Sequence, residues 1–439
     1  MEVEMIVLCT TRRDELSSDQ HPLKGFSKKK DRRDRLRRLT ELGILSSAHA
    51  EMLRRNEISA EWGEEFIENF VGYWPIPLGF VYIPVDGVDR AIMYANEETS
   101  VVAAANKAAS IFRGLGASIE TQIVGEHLTI GQILMILHPE KYEAFEKMLS
   151  CLSSQLISMA NDGVASDMVA RGGGVQGICI KNVYPDIDGS NLGVVVHVEV
   201  DTVDAMGANK VTTICEFISD ILKKESGCEA LLAILTNNVE KLVTARVELL
   251  NIDDNVVRRI EIASEFAVRN LDRAVTNNKG MLNALVAIAK ATGNDDRALA
   301  ISFSTYAMTS GQWPLSRWER TSNGLVGYFR APIDVGTVGG AVMHPSAIIC
   351  LEIMKTETAK DLRRVMAAAA LAQNFAALLA LTDKDKHFSR GHLTLQATNY
   401  ARQVGAQGDE IKIVARMIRD NGELSAEGAR KALKKISTK

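Results

Sequence analysis

A chain of 439 residues is long enough for two or three domains with ample buried core. Hydrophobic content of 46% and charged content of 24% are ordinary for a globular, water-soluble protein, and a formal charge of −4 lacks the basic surplus of a dedicated nucleic-acid binder. Six scattered cysteines (Cys9, Cys151, Cys179, Cys215, Cys228, Cys350) form no CxxC pair, which fits reduced cytosolic thiols, and eight histidines without HExxH spacing give no reason to expect a metal.

The opening MEVEMIVLCTTRRDE holds an apolar run too short for a signal-peptide core, and acids interrupt it. The run KKKDRRDRLRR at 28–38 carries eight positive charges against two negative ones. It could hold a nucleotide or CoA phosphate, although such runs are more often one solvated helix face. Residues 39–69 have helical apolar spacing, and 74–85 read as extended chain broken by prolines. A short strand at 91–95 leads into Glu97-Glu98-Thr99-Ser100, followed by the helical VVAAANKAASIFRGLG, closed by glycine. Glu98 therefore stands at a strand-to-helix junction.

From about residue 120 to 235 the character changes. Strands at 118–124, 177–183, 192–200 and 229–235 alternate with helical stretches at 141–160 and 210–223, the pattern of an inserted α+β domain. RGGGVQG at 171–177 satisfies GxGxxG through Gly172, Gly174 and Gly177. A Rossmann site needs a strand before this motif and a helix after it; here a helix precedes and a strand follows, so that reading is rejected. Strand pattern resumes at 244–250, and helices dominate 253–309 apart from two polar turns, NNKG at 277–280 and GNDD at 293–296. A Gly-rich extended stretch at 324–341 precedes VMAAAALAQNFAALLALT at 365–382. That stretch nears membrane-spanning length, but it is alanine-rich and holds Gln373 and Asn374, so it reads as a buried central helix, and no membrane anchor is expected. The tail after Asp383 is polar, charged and helical.

Lys279 in one turn, Asp295 in the next and Glu98 at another helix start form a plausible acid/base set. Each has a plainer use: Asp295 as a helix N-cap, Glu98 as a first-turn acid, Lys279 as a cation near a helix end.

Four stretches resemble motifs of the hydroxymethylglutaryl-CoA reductases, specifically the soluble class II branch of bacteria and archaea. They are EETSVVAAANKAA (97–109), DAMGANKVTT (204–213), RAVTNNKGMLNALVAIAKATGNDDRA (273–298) and SRGHLTLQATNYARQVGAQGDEI (389–411). IENFVG, GLVGYFRAPIDVGTVGG and LAQNFAALLAL add weaker matches in the same order, and the resemblance runs from about residue 24 to about 430. It implies an α+β fold. A large substrate-binding and dimerisation domain (1–121 and 233–383) would surround the central helix, with a small non-Rossmann nicotinamide domain (122–232) inserted and a C-terminal flap (384–439) appended. It further implies a cytoplasmic homodimer of isoprenoid biosynthesis, with its site between subunits and IENFVG (67–72) near that interface, and neither nucleic acid nor membrane as partner. Carried over by motif, the catalytic residues are Glu98, Lys279, Asp295 and the flap histidine His392. Substrate contacts fall on Arg273, Asn283 and Gln373, and cofactor contacts on Asp204, Met206, Gly207 and Asn209, with Asn237 of LTNN a weaker match.

The implied reaction interconverts HMG-CoA with mevalonate and CoA by two hydride transfers, using NADH or NADPH, with a lean toward NADH. Lys279 would stabilise the oxyanion. Glu98 would supply a proton, its pKa raised by nearby Asp295, and His392 would protonate the departing CoA thiolate from a mobile flap. The sequence departs from the motifs at Thr99, where proline is usual, at Gln396 and Thr398, where histidine and arginine are usual, and by two extra residues before His392. The rivals are a non-redox CoA-thioester hydrolase or lyase on the same scaffold, and a binding protein using the basic run.

Overall fold

The structure, a computed structural model, describes residues 32–55, 68, 73–125, 127–239, 241–383 and 393–437. The chain divides into a unit of residues 1–73 and a unit of residues 74–439. In the first, α1 (Arg32–Glu41) and α2 (Ser47–Arg55) are separated by a turn at Gly43, whose φ is +62°. The helical stretch expected over 39–69 is thus interrupted. Arg37 pairs with Asp34 and Arg38 with Glu41 along the exposed side of α1, which is how a basic helix face satisfies itself in water. Apart from Glu68, the IENFVG segment lies outside the described residues.

The second unit opens with a hairpin of β1 (Leu78–Val85) and β2 (Val88–Ala95). Its turn residues Asp86 and Gly87 both have positive φ (50° and 79°), the geometry that matches strand twist in a two-residue loop. β2 delivers the chain to α3 (Thr99–Gly114), then to β3 (Glu120–Val124). After an excursion the chain returns as β8 (Leu242–Leu250), which pairs with β3. With β9 (Ser316–Thr321) and β10 (Gly324–Pro332) they form an antiparallel sheet in the order β3-β8-β10-β9.

The excursion makes a second antiparallel sheet, β5-β6-β4-β7, from β4 (Leu128–Leu137), β5 (Gly174–Tyr184), β6 (Leu192–Asp201) and β7 (Glu229–Leu235). Two helices, α4 (Tyr142–Asp162) and α6 (Ala208–Ser226), bury Phe145, Leu149, Leu156, Ile214, Ile218 and Leu222 against its valine-rich inner face. A short α5 (Ser166–Val169) precedes the glycine run and β5 follows it, so GxGxxG has the order helix, loop, strand. A Cβ on Gly173 would sit 2.3 Å from the Asp201 carbonyl oxygen; glycine here serves close backbone packing.

Helices α7 (Asp254–Arg269), α8 (Leu271–Ala291) and α9 (Asp296–Thr309) follow β8, and α10 (Pro345–Met354) and α11 (Ala359–Leu381) follow β10. α11 is the one described helix long and apolar enough to cross a membrane, and it is mostly buried within the protein. Its Ala367–Ala370 run is fully buried, because small side chains let neighbouring elements approach closely. Phe375 meets Phe112 and Trp318, each at 5.1 Å between ring centroids. The final helices α12 (Ala397–Gln403), α13 (Asp409–Asp420) and α14 (Ala426–Ser437) share a small core of their own around Ala401, Val414, Ile418 and Ala429.

A polar chain crosses the main core. The Trp318 indole N–H donates to Asn374 Oδ1 (2.8 Å), Asn374 Nδ2 to Asn277 Oδ1 (2.8 Å), and Asn277 Nδ2 to Ser316 Oγ (2.9 Å). Asn374→Ala removes the middle link and strands two buried groups. We expect a loss of about 1–3 kcal/mol in urea unfolding; an unchanged midpoint would show the network to be dispensable.

Candidate active site

α8 starts where Asn270 accepts the Arg273 amide (2.8 Å), and it continues through NNKG without a break. The turn expected at 277–280 is therefore corrected to helix interior. The cause is tertiary: Asn277 belongs to the buried chain above, and Asn278 Oδ1 accepts the Leu315 amide (3.1 Å), so two weak helix formers are held by partners from other elements. The next residue, Lys279, is exposed and makes no ion pair or hydrogen bond among the described residues. Asn283 lies one turn along the same side and is half-buried, as is Arg273 near the helix start. Gln373 sits on α11 beside Asn374; it is 4% exposed, and its Oε1 has no hydrogen-bond partner among the described residues. A buried amide oxygen left unpaired marks a place where a donor from a ligand would be welcome.

Glu98 lies at the strand-to-helix junction, as expected, but as the N-cap of α3 rather than as an acid of its first turn. Its carboxylate accepts the Ser100 amide (3.4 Å), and its own amide donates to Asn96 Oδ1 (2.6 Å). Asp295 caps α9, accepting the Arg297 and Ala298 amides (3.0 and 3.1 Å), and it pairs with the Arg297 guanidinium at 3.2 Å. Partial burial works to raise the Asp295 pKa, but the Arg297 side chain and the two amides outweigh it and hold the carboxyl below its ordinary value. Among the described residues, no ion pair joins Lys279 to either carboxylate.

Asn294, buried beside Asp295, clasps the backbone of Gly336 twice: Gly336 N–H donates to Asn294 Oδ1 (2.7 Å), and Asn294 Nδ2 donates to Gly336 O (3.0 Å). Gly336 in turn backs the DAMGAN turn, since a Cβ there would lie 2.5 Å from Met206 N and 2.8 Å from Asp204 O. The Thr337 amide donates to Asp204 O (2.7 Å), and the Asp204 carboxylate accepts the Ala359 amide at the start of α11 (2.8 Å). The segment expected to bind cofactor and the turn bearing Asp295 are thus tied to one strand of backbone. Val203 enters the turn with φ +52°, a strained value for a β-branched residue, and Gly207 leaves it at φ +88°. α6 then begins with no side-chain cap; Asn209 on its first turn is exposed, as is Asn237 after β7. His392 lies outside the described residues.

Sequence reasoning missed a buried charge cluster at the base of this turn. Lys241, fully buried, donates to Asp334 Oδ1 (2.7 Å), Thr129 Oγ1 (2.7 Å) and Thr202 Oγ1 (3.4 Å). Arg363 of α11, 1% exposed, lies 3.0 Å from His127 Nδ1 and donates to Val335 O (3.3 Å). The one available signal was Asp334, an acid between Ile333 and Val335 in an apolar run. Burial, then Arg363, Lys241 and Lys360, lower the His127 pKa from the ordinary 6.5 to about 4, with Asp334 opposing. The unfolded chain therefore binds more protons than the folded one between these two values, and stability falls as pH drops from 6.5 toward 4. His127→Asn keeps an acceptor for Arg363 and should flatten that part of the pH–stability curve; an unaltered curve would assign it to other groups.

A cavity of about 900 Å3 lies over the outer face of the β3-β8-β10-β9 sheet, lined in part by Gln122, Arg246, Trp313, Tyr328 and Arg330. It contains none of the expected site residues.

The chain is similar to known proteins along most of its length. A family model described as hydroxymethylglutaryl-coenzyme A reductase matches residues 29–397. The 3-hydroxy-3-methylglutaryl-coenzyme A reductase of Archaeoglobus fulgidus is 36% identical, with 92% of each chain covered. A probable reductase of the same name from Borreliella burgdorferi is 32% identical over 77% of this chain and 78% of its own. Among solved structures, the class II reductase from Streptococcus pneumoniae bound to NADPH in open conformations superposes with a TM-score of 0.74 at 31% identity, covering 82% of this chain and all of that one. A second structure of the Streptococcus pneumoniae enzyme gives 0.75 at 30% identity, over 94% and 99% of the two chains. The chain belongs to the hydroxymethylglutaryl-CoA reductase family, in its class II branch of NAD(P)H-dependent oxidoreductases.

Proposed function

We propose that this chain interconverts HMG-CoA with mevalonate and CoA, with Lys279, Glu98, Asp295 and His392 as its catalytic groups. The observation that carries this reading is the mounting of Lys279: a cation unpaired among the described residues, held on a helix whose two preceding side chains are locked into the core. A nicotinamide dinucleotide fits the DAMGAN turn. The first turn of α6 carries no side-chain cap, so its backbone N–H groups can meet a phosphate, and Lys210 on that turn, paired with Asp167 at 2.8 Å, adds a positive charge. Asp204, Met206, Gly207, Asn209 and Asn237 would hold it, with residues 122–232 as its domain. When bound, the cofactor supplies the hydride.

The protein's own groups do the rest. The thioester carbonyl oxygen gains negative charge as hydride arrives, and Lys279 offsets it. The resulting hemithioacetal releases CoA as thiolate, which takes a proton from His392, and the aldehyde undergoes a second reduction to the alcohol. Glu98 delivers the proton to the alkoxide, while Asp295 stays ionised, its carboxylate held by Arg297 and two backbone amides. Arg273, Asn283 and Gln373 orient the substrate; the free oxygen of Gln373 accepts from a hydroxyl or amide donor.

Two further features support a homodimer whose site is completed between subunits. Ile262, Phe266, Leu271 and Val275 are each more than half exposed, and Leu271, Val275 and Lys279 follow one another at four-residue spacing on one side of α8. An apolar surface leading to the catalytic lysine is suited to cover by a second copy. Free cysteines, with no disulfide among the described residues, fit a cytoplasmic setting. NADH remains our lean, while NADPH is the cofactor bound in the Streptococcus pneumoniae relative. Initial rates at 340 nm with HMG-CoA, run with each cofactor, test the activity and choose between them. No oxidation with either, from folded protein, would contradict the proposal.

A further inference from the structure

The buried Lys241–Asp334 pair has no place in the chemistry above, yet its hydrogen bonds tie the inserted sheet to the segment that follows β10. Lys241 immediately precedes β8, at the point where the chain re-enters the first sheet. Its partners Thr129 and Thr202 stand at the start of β4 and just past the end of β6, both on the inserted sheet, whereas Asp334 follows β10 of the first sheet. One ammonium group thus joins the two sheets. Thr202 also carries the contact onward: its Cγ2 lies 2.4 Å from where a Cβ on Gly207 would be, so this threonine is wedged between Lys241 and the DAMGAN turn.

On the other side, the 333–338 segment contacts several elements in turn. Ile333 N–H donates to Lys241 O, Asp334 binds the Lys241 side chain, and Val335 O accepts from Arg363. Gly336 is clasped by Asn294, next to Asp295, and Thr337 N–H donates to Asp204 O. Val338 forms a parallel bridge to Ala205. Val203, at φ +52°, is held by its own amide, which donates to Asp201 Oδ1 (2.8 Å), and by the close approach of Gly173, where a Cβ would lie 2.6 Å from Val203 Cγ2.

We propose that Lys241 and Asp334 are positioning residues for hydride transfer: the pair fixes the strained 201–207 turn against the 333–338 segment, and thereby sets the bound nicotinamide relative to the Asp295 turn. The proposal rests on the reductase reading above. A misplacement of about 1 Å at this distance from the chemistry can cost on the order of 10²-fold in rate.

The test replaces both charges at once, Lys241→Met with Asp334→Val, so that neither member of the ion pair is left buried without the other, while Arg363 keeps Asp204 and Asp201 as opposing charges. Thr129→Val is the milder companion, removing one anchor on the inserted sheet while leaving the ion pair intact. Thermal unfolding, kcat, KM for HMG-CoA and the isotope effect with 4-deuterated nicotinamide cofactor are measured for both and for wild type. Positioning predicts kcat lower by about 10- to 100-fold in the double variant, with KM for HMG-CoA within about threefold of wild type. The isotope effect rises as the hydride step becomes limiting, and Thr129→Val moves the same way by less. A folded double variant with wild-type kcat and isotope effect overturns the proposal, as does an unaffected Thr129→Val should the double variant not fold. Absence of turnover in wild type removes the reductase reading and this proposal with it; wild-type turnover with unaffected variants removes the proposal alone.

Discussion

Lys279→Ala is expected to lower kcat by at least about 10²- to 10³-fold, the range typical for deleting one preorganised group that meets a developing oxyanion. The fold should not suffer. Lys279 is exposed and unpaired among the described residues, and alanine is the best helix former, so unfolding should shift by no more than about 0.5 kcal/mol. Its neighbours Asn277 and Asn278 keep their core partners, so the helix stays seated. The diagnostic is the split between constants. A role in the transition state lowers kcat and kcat/KM together, whereas a role in ground-state binding raises KM with kcat preserved. A rise in KM alone would assign Lys279 to substrate binding and leave the oxyanion without its stabiliser.

The largest stability effect belongs to Lys241→Met made alone. Lys241 is fully exchanged from water into the core, and burial lowers its pKa while Asp334 works against that. Removing the ammonium leaves the Asp334 carboxylate, 3% exposed, without its ion-pair partner and with Arg363 as the opposing charge nearby, and deprives the Thr129 and Thr202 hydroxyls of their donor. Breaking one side of a buried pair costs about 3–5 kcal/mol, where replacing both sides is often close to neutral. We therefore expect the single variant to unfold at much lower urea than the Lys241→Met/Asp334→Val double variant. Equal losses in the two would mean that packing, not charge, dominates at this position.

Much of the local structure was legible in the sequence because a single residue's chemistry decided it. Glu98 and Asp295 fall at helix starts, where a carboxylate satisfies free amides and meets the positive end of the helix dipole. The order of elements around RGGG was enough to reject a Rossmann site, and alanine with embedded amides marked α11 as core. Elements decided by tertiary partners were not legible. β4 alternates buried and half-buried residues, but LTIGQILMIL is apolar on nearly every position, so no period stands out. β9 (SRWERT) is charged, and only Ser316 and Trp318 turn inward. NNKG reads as a turn until Ser316, Leu315 and Asn374 are placed around it.

The candidate site follows the same division. Its residues were named by motif, not by spacing, and the protein then supplied what spacing lacked: the lock just before Lys279, the Gln373 oxygen without a partner among the described residues, and the shared backbone linking Asp295 to the DAMGAN turn. The expectation that Asp295 and Glu98 act as a close carboxylate pair gains no support, since Asp295 takes Arg297 as its partner. Lys241 was invisible because a lysine before a strand is ordinarily a surface residue, and nothing in the surrounding KLVTARVELL marks it as buried.

The central claim is a double reduction of a CoA thioester, and its stoichiometry tests it most directly. Limiting HMG-CoA is incubated with excess reduced cofactor, following absorbance at 340 nm and released thiol in the same sample. Two cofactors oxidised for each CoA released is the predicted result. Thiol released without cofactor oxidation would instead establish a non-redox thioester enzyme and contradict the account.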